Sequence, residues 1–462
     1  MKAFRIITNA IILSNVIIIA DAASNRRRNN GNRSSRYRQE YFSFLSSHRR
    51  YDNQPKDPNP MPTIEDLEEQ ATSNDVIDIV LDEIIGVNGG IIIDRYIPSQ
   101  IWLWRQWYST VFYNSITNTY LRMVSTFGLC CLLRKIIVGD WNVWEHPATI
   151  INLQQQSCNL VVLQFLNSLN KIWKSLLPLT TLVLVFFVTQ AYNYWISVYQ
   201  ICRNIQGRIN DIEMILATHV SRNNNRFGRR SSSYTSDGEE FLQDISHKLR
   251  AFHVLFWASQ TRRFRILLTD RGLSRMVAKD VLTQQEKEAL DLQISVNKTQ
   301  KHWILLEWVI FKCKEAQYPN TGNKRRTKGA LLQGGSGLEQ VLLDQICSLR
   351  MCCSQITNKI TGRMALAYVH FVQILVDLFL FMASIVQYNE LGIWSVVSVG
   401  ILTLFYSGLL DLAFDFLDPL FDDKEYRGGG GGETSVYLDL SVLIRESASA
   451  AQRWINAGSK LR

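Results

Sequence analysis

Residues 364–419 read MALAYVHFVQILVDLFLFMASIVQYNELGIWSVVSVGILTLFYSGLLDLAFDFLDP, and this stretch decides the fold. Its first part, Met364 to Tyr388, holds one acid, Asp377; its second, Leu391 to Leu417, is almost continuously apolar until Asp411 and Asp415. Each is long enough to cross a bilayer as a helix, which takes about 20 residues. The connector carries Glu390 and neither Lys nor Arg, so it belongs on the side away from the basic part of the chain.

Moving towards the N-terminus, Trp173 to Tyr199 contains two apolar runs, Leu176-Leu177-Pro178-Leu179 and Leu182 to Val188, then turns polar through Gln190 and Asn193. It reads as the second of four spans. The first lies within 101–138, rich in Trp and Tyr at its start and interrupted by Asn114, Asn118 and Arg122. Polar groups at membrane depth are expensive unless they meet other protein, so one side of this helix is expected to face neighbours rather than lipid. In a lone monomer these groups would face lipid, which points to an oligomer.

Between the second and third spans, residues 200–363 carry Arg203, Arg208, Arg222, Arg262, Arg263, Lys324, Arg325 and Arg326 among others, so this segment stays inside. Its apolar residues recur at helical spacing, as at Leu305, Trp308 and Val309, and Thr283-Gln284-Gln285-Glu286 has the pattern of a capped helix start. Two polar stretches, 221–239 and 318–337, are expected to be disordered loops. The fold class is therefore all-α: a four-span membrane protein with a helical domain on its cytosolic or stromal side. A C-terminal tail, 418–462, contains a run of glycines from Gly428 to Gly432.

At the other end, residues 1–23 read as a signal peptide: Lys2 and Arg5, an apolar run from Ile6 to Ala20, then Ala20-Asp21-Ala22. A retained signal anchor is the alternative. Residues 24–62 begin as an Arg-, Asn- and Ser-rich tract in which Glu40 is the one acid up to Arg50. Read as a transit-like sequence, the tract points to a plastid membrane, thylakoid or envelope; read as a disordered basic tail, it leaves the endomembrane system or the plasma membrane.

The 462 residues carry 50 Lys and Arg against 41 Asp and Glu, a net charge of +9. In a soluble protein this would raise nucleic acid as a partner, but no aromatic-basic motif of a nucleic-acid module occurs and the charge lies where a positive-inside membrane protein keeps it. An enzyme is not expected, because HExxH, GxxxxGK[ST] and GxSxG are missing and the seven histidines are scattered from His48 to His370. The cysteines form no CxxC and no zinc spacing; Cys130-Cys131 and Cys352-Cys353 are read as packing residues.

Three stretches, with the helical spacing between them, resemble the bestrophin family from about Trp107 to Ser447. Phe186-Phe187-Val188-Thr189-Gln190-Ala191-Tyr192-Asn193-Tyr194-Trp195, followed by Arg203 and Gly207, is similar to the end of the family's second span. Val281 to Glu286 and Trp303 to Glu315 are similar to its cytosolic helices. Tyr406 to Ala413, leading into Leu417-Asp418-Pro419, looks like its last span and the turn that ends it, although Leu420-Phe421 departs from the family's Asn-Pro-Phe-Gly.

The resemblance implies a homo-oligomeric ring, a pentamer, forming an anion channel for chloride, with bicarbonate as a second permeant ion. It places the pore neck at Pro178, Leu182 and Phe186. By spacing alone these residues share one helical face, which is equally the face of a packed or lipid-exposed span. Some bestrophins bind calcium at the final turn, where this chain has Asp415, Asp418 and Asp423, oxygen ligands of the right kind. The runner-up function is a non-conducting membrane scaffold of the same fold, with Asp377 as an assembly residue.

Overall fold

The computed structural model describes residues 63–64, 67–68, 74–85, 92, 111–137, 160–224, 230–292, 298–318, 330–420 and 436–460. The expected signal peptide, the tract at 24–62 and the glycine run lie outside these residues, as do 101–110 of the first span region.

The longest element is α3, Leu160–His219, a single helix of 60 residues and therefore about 90 Å long. It carries two buried stripes in succession. Trp173, Thr180, Leu184, Phe187 and Ala191 recur at steps of three, four or seven residues on one side, and Val198, Ile205, Ile209, Ile212 and Leu216 continue the spacing below. The first stripe packs in a helical bundle and the second in a separate, larger core, so one helix ties the two halves together.

The bundle consists of α2 (Val111–Ile137), the N-terminal two-thirds of α3, α9 (Leu366–Leu391) and α10 (Ser395–Leu417). Contacts fix their directions. Trp173 stacks on Phe379 at 5.4 Å and Phe187 meets Tyr368 at 5.9 Å, so α3 and α9 run antiparallel. Thr181 Oγ1 lies 2.6 Å from Tyr406 Oη and Phe187 meets Phe414 at 6.0 Å, so α3 and α10 run parallel. Between α9 and α10 the chain reverses at Gly392, whose φ of 57° is a left-handed conformation that costs glycine little. Gly400 lets α10 approach α2 so closely that an added Cβ would lie 2.7 Å from Met123 Sδ. Among the described residues, two stretches are long and apolar enough to cross a membrane, Gln164–His219 and Leu366–Leu417; the second is folded back on itself at Gly392–Trp394.

The larger core belongs to the lower domain. Around the end of α3 it gathers α1 (Asn74–Ile85), α4 (Ser236–Gln260), α5 (Asp270–Ala278), α6 (Gln284–Leu292), α7 (His302–Gln317), α8 (Gly335–Thr361) and α11 (Leu440–Lys460). The capping box at the start of α6 forms: Glu286 N donates to Thr283 Oγ1 at 3.2 Å and Thr283 N donates to Glu286 Oε2 at 2.9 Å. Ion pairs fasten α1 from outside, Lys279–Asp82 at 2.7 Å, Arg263–Glu83 at 2.5 Å and Arg275–Asp78. Since α1 and α11 both pack here, the described segments that flank the bundle in sequence lie on the same side of it.

The expected loop at 221–239 is corrected by the structure. Arg222–Asn224 (β1) and Arg230–Tyr234 (β2) form an antiparallel pair, and 236–239 are already the first turn of α4. One aromatic residue anchors this polar hairpin. Tyr234 is buried, donates its hydroxyl to Ala217 O at 3.1 Å and receives the Arg222 guanidinium over its ring at 4.7 Å. The stretch 318–337 is likewise ordered at its described end: Leu332 bridges to Val220, and α8 begins at Gly335. The Val220–Leu332 bridge is long-range, so local polarity did not reveal it.

Two buried glutamates in this domain show how partners decide a charge. Burial pushes the Glu286 carboxyl up, but His247, the Thr283 N–H and Lys248 together override that and hold it at about 2. Glu213 on α3 is buried with no partner for Oε2 among the described residues, and burial pushes it up from 4.5 to about 8. It lines a pocket of about 10 Å³, room for roughly one water, with Ser246 of α4 and Trp454 of α11.

The folded protein thus holds a proton on Glu213 that the unfolded chain releases above about 4.5. Stability should fall as pH rises from there to about 8, at roughly 1.4 kcal/mol per unit at the steepest. Replacing Glu213 with Gln should flatten this slope and raise the alkaline unfolding temperature in detergent. Identical pH slopes in the two proteins would show that the carboxyl is not held neutral.

Candidate functional site

Half a turn away from the bundle-facing stripe of α3 lies a face that no other described element covers. Pro178, Leu182 and Phe186 are all on it, Leu182 at 62% and Phe186 at 59% exposure. The three residues expected at a neck are therefore together on one side. Whether they line a pore depends on what stands opposite them.

The same face continues in both directions with residues that sequence reasoning did not select. Lys171 and Ser175 precede the apolar trio, and Thr189 and Asn193 follow it, all exposed. Ser175 and Thr189 donate back to Lys171 O and Val185 O, at 3.0 and 2.8 Å, whereas Lys171 and Asn193 have no side-chain partner among the described residues. The available signal was their spacing, since 171, 175, 178, 182, 186, 189 and 193 step by three and four. The exposed stripe of α10 is different: Val397, Ile401, Phe405 and Leu409 step by four with no polar member.

Inside the bundle the polar residues pair. Arg122 Nη2 donates to Asp377 Oδ1 at 2.8 Å while Gln373 Nε2 donates to Asp377 Oδ2 at 2.8 Å. Ser115 Oγ donates to Asp411 Oδ2 at 2.8 Å, and Thr126 Oγ1 to Ser384 Oγ at 3.2 Å. Arg122 thus finds its neighbour within the chain, where a partner subunit had been expected. Asn118 points outward instead of inward, and Asn114 lies on the same helix with its side chain outside the described residues.

At the far end of the bundle, Glu390 accepts from both Asn170 Nδ2 and Lys174 Nζ at 2.6 Å. At the domain end, Tyr192, Trp195 and Tyr199 stack along α3, Tyr192 on Trp195 at 6.2 Å and Trp195 on Tyr199 at 6.0 Å. Trp195 Nε1 donates to Val436 O at 2.7 Å, which brings the tail back to the bundle.

Of the residues expected to hold calcium, Asp415 and Asp418 are among the described residues. Asp415 sits in the last turn of α10, Asp418 is its C-cap and is paired with Arg363 at 3.0 Å, and Asp423 lies outside the described residues. No cluster of three or more His, Cys, Asp or Glu suited to a metal occurs among the described residues.

No protein-family model matches the chain, and no curated protein matches it. Among solved structures, it is similar to a bacterial bestrophin homologue from Klebsiella pneumoniae, with 10% identity and a TM-score of 0.49 over 73% of this chain and 98% of that one. A point variant of that homologue matches at 11% identity and a TM-score of 0.46, over 62% and 87% of the two chains. A further structure described as a membrane protein matches at 12% and 0.47, over 73% and 98%.

The Arg122–Asp377 pair joins α2 to α9, and removing one charge leaves the other stranded. Asp377→Ala should destabilise the fold in detergent by about 1–2 kcal/mol, read as a lower unfolding temperature. Combining it with Arg122→Leu should recover most of the loss. Simple additivity of the two losses would mean that the groups are not coupled.

Proposed function

We propose that this chain is a subunit of a homo-oligomeric anion channel whose pore is lined by α3, with Pro178, Leu182 and Phe186 as the neck. The observation that carries the reading is the polar-apolar-polar sequence along one exposed face of α3, set against the uniformly apolar stripe of α10. A lipid-facing helix has no use for Lys171 or Asn193 on the face that holds Leu182, because each polar group there costs free energy in hydrocarbon. A ring of α3 helices around an axis supplies water at both ends and an apolar constriction between them, which gates by dewetting.

The alternating directions of α2, α3, α9 and α10 support a reading of these helices as four spans. The five-fold ring comes from the sequence resemblance to bestrophins, and so does chloride as permeant ion with bicarbonate second. Anion preference needs no fixed charge in the neck, since the edge of the Phe186 ring presents partial positive charge to a passing anion. The basic lower domain, with both ends of the described chain packed into it, raises anion concentration at the inner mouth. Read as transit-like, the N-terminal tract places the protein in a plastid membrane; read as a disordered basic tail, it leaves the endomembrane system or the plasma membrane.

Two measurements test the reading. Cross-linking in detergent should give a ladder that ends at five chains; a protein that stays monomeric removes the pore. In reconstituted liposomes, Leu182→Ala with Phe186→Ala should raise chloride flux several-fold by wetting the constriction. If the wild type passes no chloride and the double variant passes none either, the chain is a scaffold, and Arg122–Asp377 is then simply a packing pair.

A further inference from the structure

We propose that Lys171 captures anions at the outer mouth of the pore, one ammonium per subunit forming a ring of positive charge in front of the neck. The inference rests on the pore reading of α3. It adds a residue, a side of the membrane and a mechanism of selectivity that the neck alone does not provide.

Lys171 is seven residues before Pro178 on the same face, about 10 Å farther out along the helix. It lies at the end of the bundle where Asn170, Lys174 and Glu390 meet, which is the end away from the basic domain. Anions arriving from that side therefore meet none of the lower domain's charge.

Charge balance follows. Glu390 is the acid nearest to this end of α3 among the described residues, and it is already engaged by Lys174 and Asn170 at 2.6 Å each. Lys174 sits three residues on, turned towards α9 by that contact. Lys171 is exposed and forms no ion pair among the described residues. Of the two lysines, one is neutralised in the wall of the bundle and the other presents its charge on the pore-side face.

Energetics favours this placement over the bland one, a solvated lysine at a helix end. A lysine facing lipid would snorkel to the interface and act on nothing. On the inward face of a ring, the ammoniums of neighbouring subunits share one aqueous vestibule bounded by low-dielectric walls, which focus their field on the permeation path. The attraction reaches over a Debye length, about 10 Å at 0.1 M salt, comparable to the distance to the neck. Capture and gating are then divided between Lys171, which concentrates the ion, and Leu182 with Phe186, which admit it.

The test is chloride flux from liposomes reconstituted with wild-type protein, Lys171→Gln, Lys171→Glu and the Leu182→Ala, Phe186→Ala double variant. At low ionic strength Lys171→Gln should lower chloride flux at least about threefold and Lys171→Glu more. Both deficits should fade towards ~1 M salt, where the Debye length is about 3 Å. A merely structural role would give a deficit independent of salt. If Lys171→Glu equals wild type at low salt while the neck variant differs, Lys171 is not at the mouth and the pore reading stands without it. If wild-type protein and neck variant both carry no chloride, the pore reading falls and this inference falls with it. Should the charge variants fail to assemble, Lys171→Cys labelled after reconstitution decides: a cationic thiol reagent should restore flux and an anionic one should not, relative to labelled wild type, and equal flux with either reagent overturns the proposal.

Discussion

The rest of the structure depends on the continuity of α3. A helix satisfies its own backbone hydrogen bonds wherever it goes, so it is one of the few elements that can leave hydrocarbon for water without a break. Because α3 stays helical over 60 residues, the side that packs in the bundle and the side that packs in the lower domain belong to one rigid rod. Pro178 is the one interruption of the ladder, since it cannot donate to the carbonyl of Lys174, and it falls at the upper edge of the apolar trio.

In the proposed membrane setting, apolar contact contributes little to the specificity of the bundle, because lipid is as apolar as leucine. Position is set by the polar and aromatic contacts that lipid cannot replace. Arg122 with Asp377, Ser115 with Asp411 and Thr126 with Ser384 fix α2 against α9 and α10, while Trp173 on Phe379 and Phe187 between Tyr368 and Phe414 fix α3. The lower domain works differently. There a water-excluding apolar core dominates, and a buried charge survives only where partners surround it, as around Glu286; Glu213 Oε2 has none among the described residues, and burial pushes its carboxyl up.

Much of the architecture was legible along the chain because it rests on local pattern. The apolar lengths of 364–388 and 391–417, the basic surplus of 200–363 and the capping box at Thr283–Glu286 are each written within a few dozen residues. The helix around the second span was longer than hydropathy suggested, because its lower half is amphipathic and its apolar residues are spaced for a soluble core. The hairpin at 222–234 was missed because its strands are polar on their surface and held by one tyrosine reaching Ala217.

The sequence by itself determined that Pro178, Leu182 and Phe186 share a face, since helical periodicity assigns a side to every residue before anything packs. It did not determine which side meets the bundle. That required the tertiary structure, because Trp173, Thr180, Leu184 and Phe187 form an equally regular stripe, and only their contacts with α9 and α10 show which of the two stripes is covered. The same holds for the charges. Arg122 and Asp377 are 255 positions apart, as are many residues that never meet, and it takes the folded bundle to bring them to 2.8 Å.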